Sequence, residues 1–535
     1  MSDAGERAVL SRFPRPTALE WTALVVSLVL TLQYAWFLDD AFIYYRYVDN
    51  LVHLGRGLVF NEGEYVEGYS SPLWCLLMIP LRAAGLDWWL LTRLVGLACA
   101  TGTWALLVVL ARRMTPSGTR VLNLPLVYLA ANYAVQTYFT SGVEAPLVQV
   151  SAVAFALFIV TPGSRVAQVL VGLAPMVRHE LAAPLVIALA FAWWSTKRVP
   201  WTPIAVCVVT LGGWLAFRVV YYADLLPNTF YLKDEWQFAR GITYLRDTFG
   251  TYGTYVLLPL FTVLAIALRG AARHGRERLA MLACSAVVIV YVAKIGGDPR
   301  HYRYLAFPFV LLACSATGLA EFALARFAPG LGNAARQTLG IGVCVASFAL
   351  YPAQLSKHPV DRSAQHVKLE EINDAQYHRL KPDLGFSPWT LDERAELLSA
   401  ADIEFLFDID EGAPLPTRPL AMRALYASFL ASGDTQSKHE IATDGWCVRI
   451  WKRFAEPIVQ HDGLCDPILA RARVPSWKAA HKEPLHALAQ DLLEVRKHLY
   501  AMATQDIYKF DSPLFKVLIQ RLSNHSTAAA NAAFN

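Results

Sequence analysis

The chain has 535 residues, 55% of them hydrophobic and only 17% charged, where an ordinary soluble domain carries about 25% charged residues; mean hydropathy is +0.34. The net charge of +5 sits largely in short loops between apolar stretches, so it reads as a topology signal and no nucleic-acid partner is expected. The eight cysteines show no zinc-type C-x-x-C pair, and the six that lie in apolar stretches are expected to behave as small buried hydrophobes.

Charge suppression is local. Apolar stretches recur from Trp21 to Tyr351, and from Asp361 onward the composition becomes that of a soluble domain. This predicts a membrane domain over 1–353, a soluble domain over 354–522 and a disordered Ala/Asn-rich tail over 523–535. The first apolar segment is followed by no small-residue cleavage site and reads as an uncleaved anchor. A bilayer core needs about 20 apolar residues of helix. The candidate spans are 19–37, 90–111, 121–139, 145–161, 166–178, 180–196, 201–221, 252–268, 279–295, 305–323 and 337–353.

Basic residues between the spans set the orientation, because Lys and Arg accumulate on the cytoplasmic side. With Arg7, Arg12 and Arg15 inside, the alternate loops carrying Arg112 and Arg113, Arg165, Lys197 and Arg198, Arg273 and Arg276, and Arg326 and Arg336 also fall inside. Segment 71–86 is then a helix at the outer interface, capped by Ser71 with Pro72 at its first position. Eleven spans put loops 38–89, 222–251 and 296–304, the corners near 140–145 and 177–181, and the C-terminal domain outside.

Those outer segments hold the polar residues that are hardest to explain as spacers. Asp39-Asp40 follows the first span. A helical pattern then runs from Ala41 to Gly55, with Tyr44, Val48, Leu51 and Val52 on one side and Arg46, Asp49, Asn50 and His53 on the other. Such an amphipathic helix is expected to lie along the interface. Capping explains one aspartate of the pair and leaves the other without a role. Next come Asn61, Glu67, Tyr69 and Ser71, which turns and an interfacial belt also explain. The corners contribute Glu144 and Arg178-His179-Glu180, where ionisable groups at membrane depth are either paired or functional. After the seventh and ninth spans come Asn228, Tyr231 and Lys233, then Asp298, Arg300, His301 and Arg303. Headgroup binding is one reading of these cations. An anion that belongs outside is the other, since outer loops are normally poor in basic residues.

Taken together, Asp39-Asp40-Ala41-Phe42-Ile43 through Arg46, Gly57-Leu58-Val59-Phe60-Asn61, Glu67-Gly68-Tyr69-Ser70-Ser71-Pro72-Leu73-Trp74, Ser141-Gly142-Val143-Glu144, Pro227-Asn228-Thr229-Phe230-Tyr231 and Gly297-Asp298 with Arg303-Tyr304 resemble the GT-C superfamily of polyprenyl-phosphate-dependent membrane glycosyltransferases. Within it the chain resembles the mycobacterial terminal arabinofuranosyltransferases and their bacterial relatives. In the tail, Gly463-Leu464-Cys465-Asp466-Pro467-Ile468-Leu469-Ala470-Arg471 resembles a stretch of those enzymes with Thr in place of Cys465. Arg178-His179-Glu180 replaces their Arg-Pro-Glu.

The resemblance implies a polytopic α-helical GT-C-like protein with an amphipathic first outer loop and an extracytoplasmic C-terminal domain, helical or α+β, in a bacterial inner membrane. It implies transfer of a sugar, a pentofuranose such as arabinose by family lean, from a polyprenyl-phosphate donor to a glycan, lipid-linked or protein acceptor. Asp39 matches the catalytic base and Asp40 an orienting partner. Arg46, Lys233, Arg300 and Arg303 are the candidates for the donor phosphate. Asn61, Glu67, Tyr69, Ser71, Glu144, Arg178, His179, Asn228, Tyr231 and Asp298 are the candidates for substrate. No cofactor is required by the pattern; a divalent cation held by Asp39 and Asp40 stays open. The rival classes are a flippase for a lipid-linked saccharide, which should show repeated halves and interrupted helices, and a membrane-anchored assembly protein.

Overall fold

The structure, a computed structural model, describes residues 14–38, 40–60, 65–115, 123–222, 224–233, 236–253, 274–298, 302–319, 321–322, 324, 328–357, 440–441, 458–459 and 517. Asp39, Asn61, Arg300, all but the first two residues of the predicted span 252–268, and nearly all of the predicted C-terminal domain and tail lie outside them.

The described helices, in chain order, are α1 (Ala18–Gln33), α2 (Ala41–Val52), α3 (Pro72–Ala83), α4 (Trp88–Met114), α5 (Leu124–Ala130), α6 (Tyr133–Tyr138), α7 (Ala145–Val160), α8 (Arg165–Val177), α9 (Ala182–Thr196), α10 (Trp201–Tyr222), α11 (Asn228–Lys233), α12 (Phe238–Thr251), α13 (Gly275–Lys294), α14 (Ala306–Ser315), α15 (Asn333–Ala349) and α16 (Tyr351–Lys357). Two short 3-10 turns, His179–Leu181 and Arg303–Leu305, precede α9 and α14. Strands β1 (Glu440–Ile441) and β2 (Ile458–Val459) pair in parallel, Glu440 opposite Ile458 and Ile441 opposite Val459.

Local sequence explains where helices begin. Thr17 and Glu20 close a reciprocal capping box at the start of α1, supplying acceptors for amides that the first turn leaves unpaired. Asp87 caps α4 by accepting from the Leu90 N–H at 3.0 Å. Ser71 caps α3, with Pro72 in the first turn, as the pattern predicts.

The chain divides into two compact units. One comprises residues 1–38, 87–212 and 237–380; the other comprises 39–86, 213–236 and 381–535. In the first, α7 forms the centre and packs against α4, α8 and α14. Its sequence is apolar on every side, which suits a helix surrounded by others, and nearly every residue is buried. In the second, α2 packs on α3.

Every predicted span except 252–268 meets a described helix, with two corrections. Segment 121–139 is not continuous: α5 stops at Ala130 and α6 restarts at Tyr133. Asn132 makes the break by turning its side chain onto the N–H groups of Ala134 and Val135, the local competition that Asn offers a helix. Segment 305–323 likewise breaks after Ser315, where Gly318 adopts φ +73°. Among the described residues, α4 (27 residues) and α10 (22 residues) are long and apolar enough to cross a membrane, and shorter apolar helices accompany them.

A third correction concerns α2. Its polar side does not face an interface, because residues 41–50 are all buried. The polar side chains turn instead onto backbone carbonyls and an arginine. Asn50 Nδ2 donates to the carbonyls of Val59 and Phe60 at 2.8 and 2.9 Å. Arg46 Nε donates to Phe60 O at 2.6 Å, and Asp49 pairs with Arg82 at 2.6 Å. Buried carbonyls must find donors, and here the amphipathic pattern serves an internal contact.

Candidate functional site

The first unit gathers ionisable groups from three separated stretches. Arg178, where α8 ends, donates from Nη1 to Glu144 Oε1 at 2.9 Å and from Nε to Glu180 Oε1. Arg303, in the turn before α14, places Nη2 3.4 Å from the same Glu144 oxygen and Nη1 3.8 Å from Asp298 Oδ2. Both guanidinium groups face the Tyr304 ring, at 4.3 and 6.0 Å from its centroid. His179 lies at the edge, half exposed, with Nδ1 3.8 Å from Glu180 and Nε2 3.4 Å from the Tyr291 hydroxyl. Glu144, Asp298, Arg178 and Arg303 are all buried.

Two features hold this cluster in place. Gly297 adopts φ +74°, and a Cβ there would sit 2.3 Å from Tyr244 Cγ, so only glycine lets the loop run against the ring. On the other side, the Leu38 N–H donates to Ser141 O at 2.8 Å. Leu38 is the residue before Asp39, and Ser141 opens the Ser-Gly-Val-Glu corner that carries Glu144.

The contacts rank the two arginines. Charge-assisted bonds are about 2.7–2.9 Å long. Arg178 meets that standard with Glu144, while the contacts of Arg303 to Glu144 and Asp298 are longer. Arg178 thus ties Glu144 to Glu180, and Arg303 reaches both Glu144 and Asp298.

The second unit holds a different network. Arg218, in the last turns of α10, forms a bidentate pair with Glu67, one of its bonds being 3.1 Å from Nη2 to Oε1. Trp214, one turn earlier, donates from Nε1 to Glu67 Oε1 at 3.2 Å. The Glu67 carbonyl accepts from the Asn228 N–H at 2.9 Å. The Tyr69 and Tyr222 hydroxyls lie 3.0 Å apart, Tyr222 also donates to Leu58 O at 2.8 Å, and Tyr221 accepts from the Leu58 N–H at 2.8 Å. Gly57 adopts φ +87°, and a Cβ there would stand 2.5 Å from the Tyr221 hydroxyl. Burial pushes the Glu67 carboxyl above its ordinary value against the pull of Arg218 and Trp214, and pushes the Tyr69 hydroxyl up as well.

Glu144, Arg178, His179, Asp298 and Arg303 thus come together in one unit, and Glu67, Tyr69, Ser71 and Asn228 lie in the other with Arg46 and Asp40. Arg46 is committed to the Phe60 carbonyl and to its ring, 4.9 Å away. Asp40 occupies the N-cap position of α2 without making a side-chain capping bond, so capping is not its role. The side chains of Tyr231 and Lys233, and all of Asp39, Asn61 and Arg300, lie outside the described residues. Among the described residues no three His, Cys, Asp or Glu side chains converge as a metal site. Sequence reasoning missed Arg218, Trp214 and Tyr222. A lone Arg inside an apolar stretch was the available signal, since such a charge needs a partner.

Apolar helices, a suppressed charge content and buried ionic networks define a helical membrane protein. Comparison with known proteins then narrows the class. Over 342 residues the chain is 29% identical to a terminal β-(1→2)-arabinofuranosyltransferase of Mycobacterium tuberculosis, covering 52% of each. Over 333 residues it is 26% identical to a terminal β-(1→2)-arabinofuranosyltransferase of Corynebacterium glutamicum, covering 51% of this chain and 46% of the relative. The chain spans about half the length of the curated relatives it matches. No protein-family model and no solved structure matches it.

Proposed function

We propose that this protein is a GT-C-type glycosyltransferase that moves a pentofuranose, arabinose by its relatives' names, from a polyprenyl-phosphate donor to an extracytoplasmic glycan. The observation that carries this reading is the similarity to two terminal arabinofuranosyltransferases. The buried cluster of Glu144, Arg178 and Arg303 supports it. Eleven spans, a cytoplasmic N-terminus and an extracytoplasmic C-terminal domain complete the proposal.

In the proposed chemistry, an acceptor hydroxyl attacks the anomeric carbon while Asp39 takes the hydroxyl proton and Asp40 orients Asp39. The bond from the anomeric carbon to the phosphate oxygen breaks, and both bonding electrons leave with the polyprenyl phosphate. Arg303 and Arg300 stabilise the charge that develops there, with Lys233 as the sequence-based alternative. Arg46 acts through Phe60, by holding the 57–60 loop. Removing Arg303 as Arg303→Gln should lower donor turnover by about 10²–10³, the usual effect of deleting a donor to developing negative charge.

The test incubates purified protein with a panel of polyprenyl-phosphoryl sugars and an arabinan-type acceptor, and follows release of polyprenyl phosphate. Cleavage of the arabinofuranosyl donor is the expected result. The second reading, a flippase, is favoured by the break between α5 and α6, because transporters interrupt helices at their sites. It would show donor translocation across vesicles with no cleavage of any donor. Running the assay with a chelator reports whether a divalent ion takes part.

A further inference from the structure

The loop joining α9 to α10 carries features that the proposed reaction does not use. Residues 193–199 are all exposed. Trp193, Trp194 and Trp201 are 59%, 50% and 70% exposed, which is unusual for so large an apolar side chain in contact with water. Two cations from different elements approach one of these rings: Arg276, from the first turn of α13, lies 5.2 Å from the Trp194 centroid, and Lys197 Nζ lies 6.0 Å from it. Arg198 adds a third exposed positive charge. Lys197 holds φ +56°, a left-handed conformation that a lysine adopts only at some cost. The acidic group nearest in sequence, Glu277, is paired with His274 at 3.5 Å.

Helix length places this patch. The 22 residues of α10 extend about 33 Å at about 1.5 Å per residue, close to the roughly 30 Å of a hydrocarbon core. Trp201, its first residue, then falls at the edge of that core, where indoles reside. The three cations lie just beyond, at the depth of lipid headgroups.

We propose that Lys197, Arg198 and Arg276, arranged about Trp194, form a binding site for the headgroup of an anionic phospholipid. The guanidinium of Arg276 and the ammonium of Lys197 meet the phosphate, and the exposed indoles lie along the glycerol and upper acyl chains. This site is independent of sugar transfer. Its ligand is bilayer lipid, and none of its residues belongs to the clusters described above.

The experiment is native mass spectrometry of the detergent-purified full chain after exposure to vesicles of phosphatidylglycerol or of phosphatidylcholine. The wild type should retain phosphatidylglycerol preferentially, with retention falling as salt rises. Each cation removed should weaken retention about fivefold, which is about 1 kcal/mol. Lys197→Ala, Arg198→Ala, Arg276→Ala together should abolish the preference, while Arg165→Ala, at another exposed arginine, should leave it intact. If the triple variant does not fold, Trp194→Leu, which keeps all three charges, is measured in its place and should weaken retention several-fold. Equal retention of the two lipids by the wild type, or undiminished phosphatidylglycerol retention in the triple variant or in Trp194→Leu, overturns the proposal.

Discussion

Arg218 and Glu67 illustrate how a buried ion pair and a titration are linked. Arg218→Ala leaves a buried carboxylate without its partner, and such losses cost about 3–5 kcal/mol. Because burial raises the Glu67 carboxyl above its ordinary 4.5, a proton can replace the lost cation in acid. The destabilisation by Arg218→Ala should therefore be largest near neutral pH and shrink in acid, as seen by thermal unfolding in detergent. The sign for the wild type follows from the same shift. Between 4.5 and the higher folded-state value the unfolded chain ionises first, so stability falls as pH rises through that window. Glu67→Gln should flatten that slope. Arg218→Lys should recover only part of the stability, since an ammonium cannot make the bidentate contact.

Gly57 gives a second residue-level prediction. Gly57→Ala meets both a left-handed backbone and the Tyr221 hydroxyl at 2.5 Å, and should cost more than the roughly 1 kcal/mol of the backbone term alone. Adding Tyr221→Phe removes the clashing oxygen and should restore part of that loss, read as a melting temperature between those of Gly57→Ala and the wild type. In the sequence Gly57 stands only as the first residue of the Gly57–Asn61 motif. What it lacked was the partner, a tyrosine 164 positions later in α10 that also accepts from the Leu58 N–H.

At the scale of elements, helix starts were the most legible feature. Ser71 was read as a cap from its neighbour Pro72, and Thr17 and Asp87, which the sequence reading passed over, also act within three residues of themselves. Helix ends and breaks were less so. The interruption at Asn132 depends on one side chain competing with the backbone, and the hydrophobic pattern runs through it unchanged. The amphipathic face of α2 was read correctly as a pattern and wrongly as an exposure. Periodicity reports which residues share a side, and it does not report whether water or a carbonyl-bearing loop lies opposite. The turn after α9 gives the prediction for this scale. Lys197→Gly should relieve the left-handed strain and raise stability by up to about 1 kcal/mol, while weakening phosphatidylglycerol retention. A variant that loses stability would show that the lysine side chain, not its backbone, governs that turn.

For the whole molecule, loop position and charge predict one shared side of a membrane for Glu144, Arg178, Asp298 and Arg303, and the structure brings these four within one buried network. The sequence carried no distances: a 2.9 Å bond holds Arg178 to Glu144, and Arg303 stands 3.4 Å from the same oxygen. The central claim is glycosyl transfer that depends on the Asp39-Asp40 pair. The most direct measurement is single-turnover cleavage of a polyprenyl-phosphoryl arabinofuranose by the wild type and by Asp39→Asn, Asp40→Asn, with melting curves run in parallel. The account predicts a rate lower by about 10²–10⁴, the range for loss of a general base, in a variant that melts like the wild type. An equally well-folded double variant that cleaves donor at the wild-type rate would contradict it.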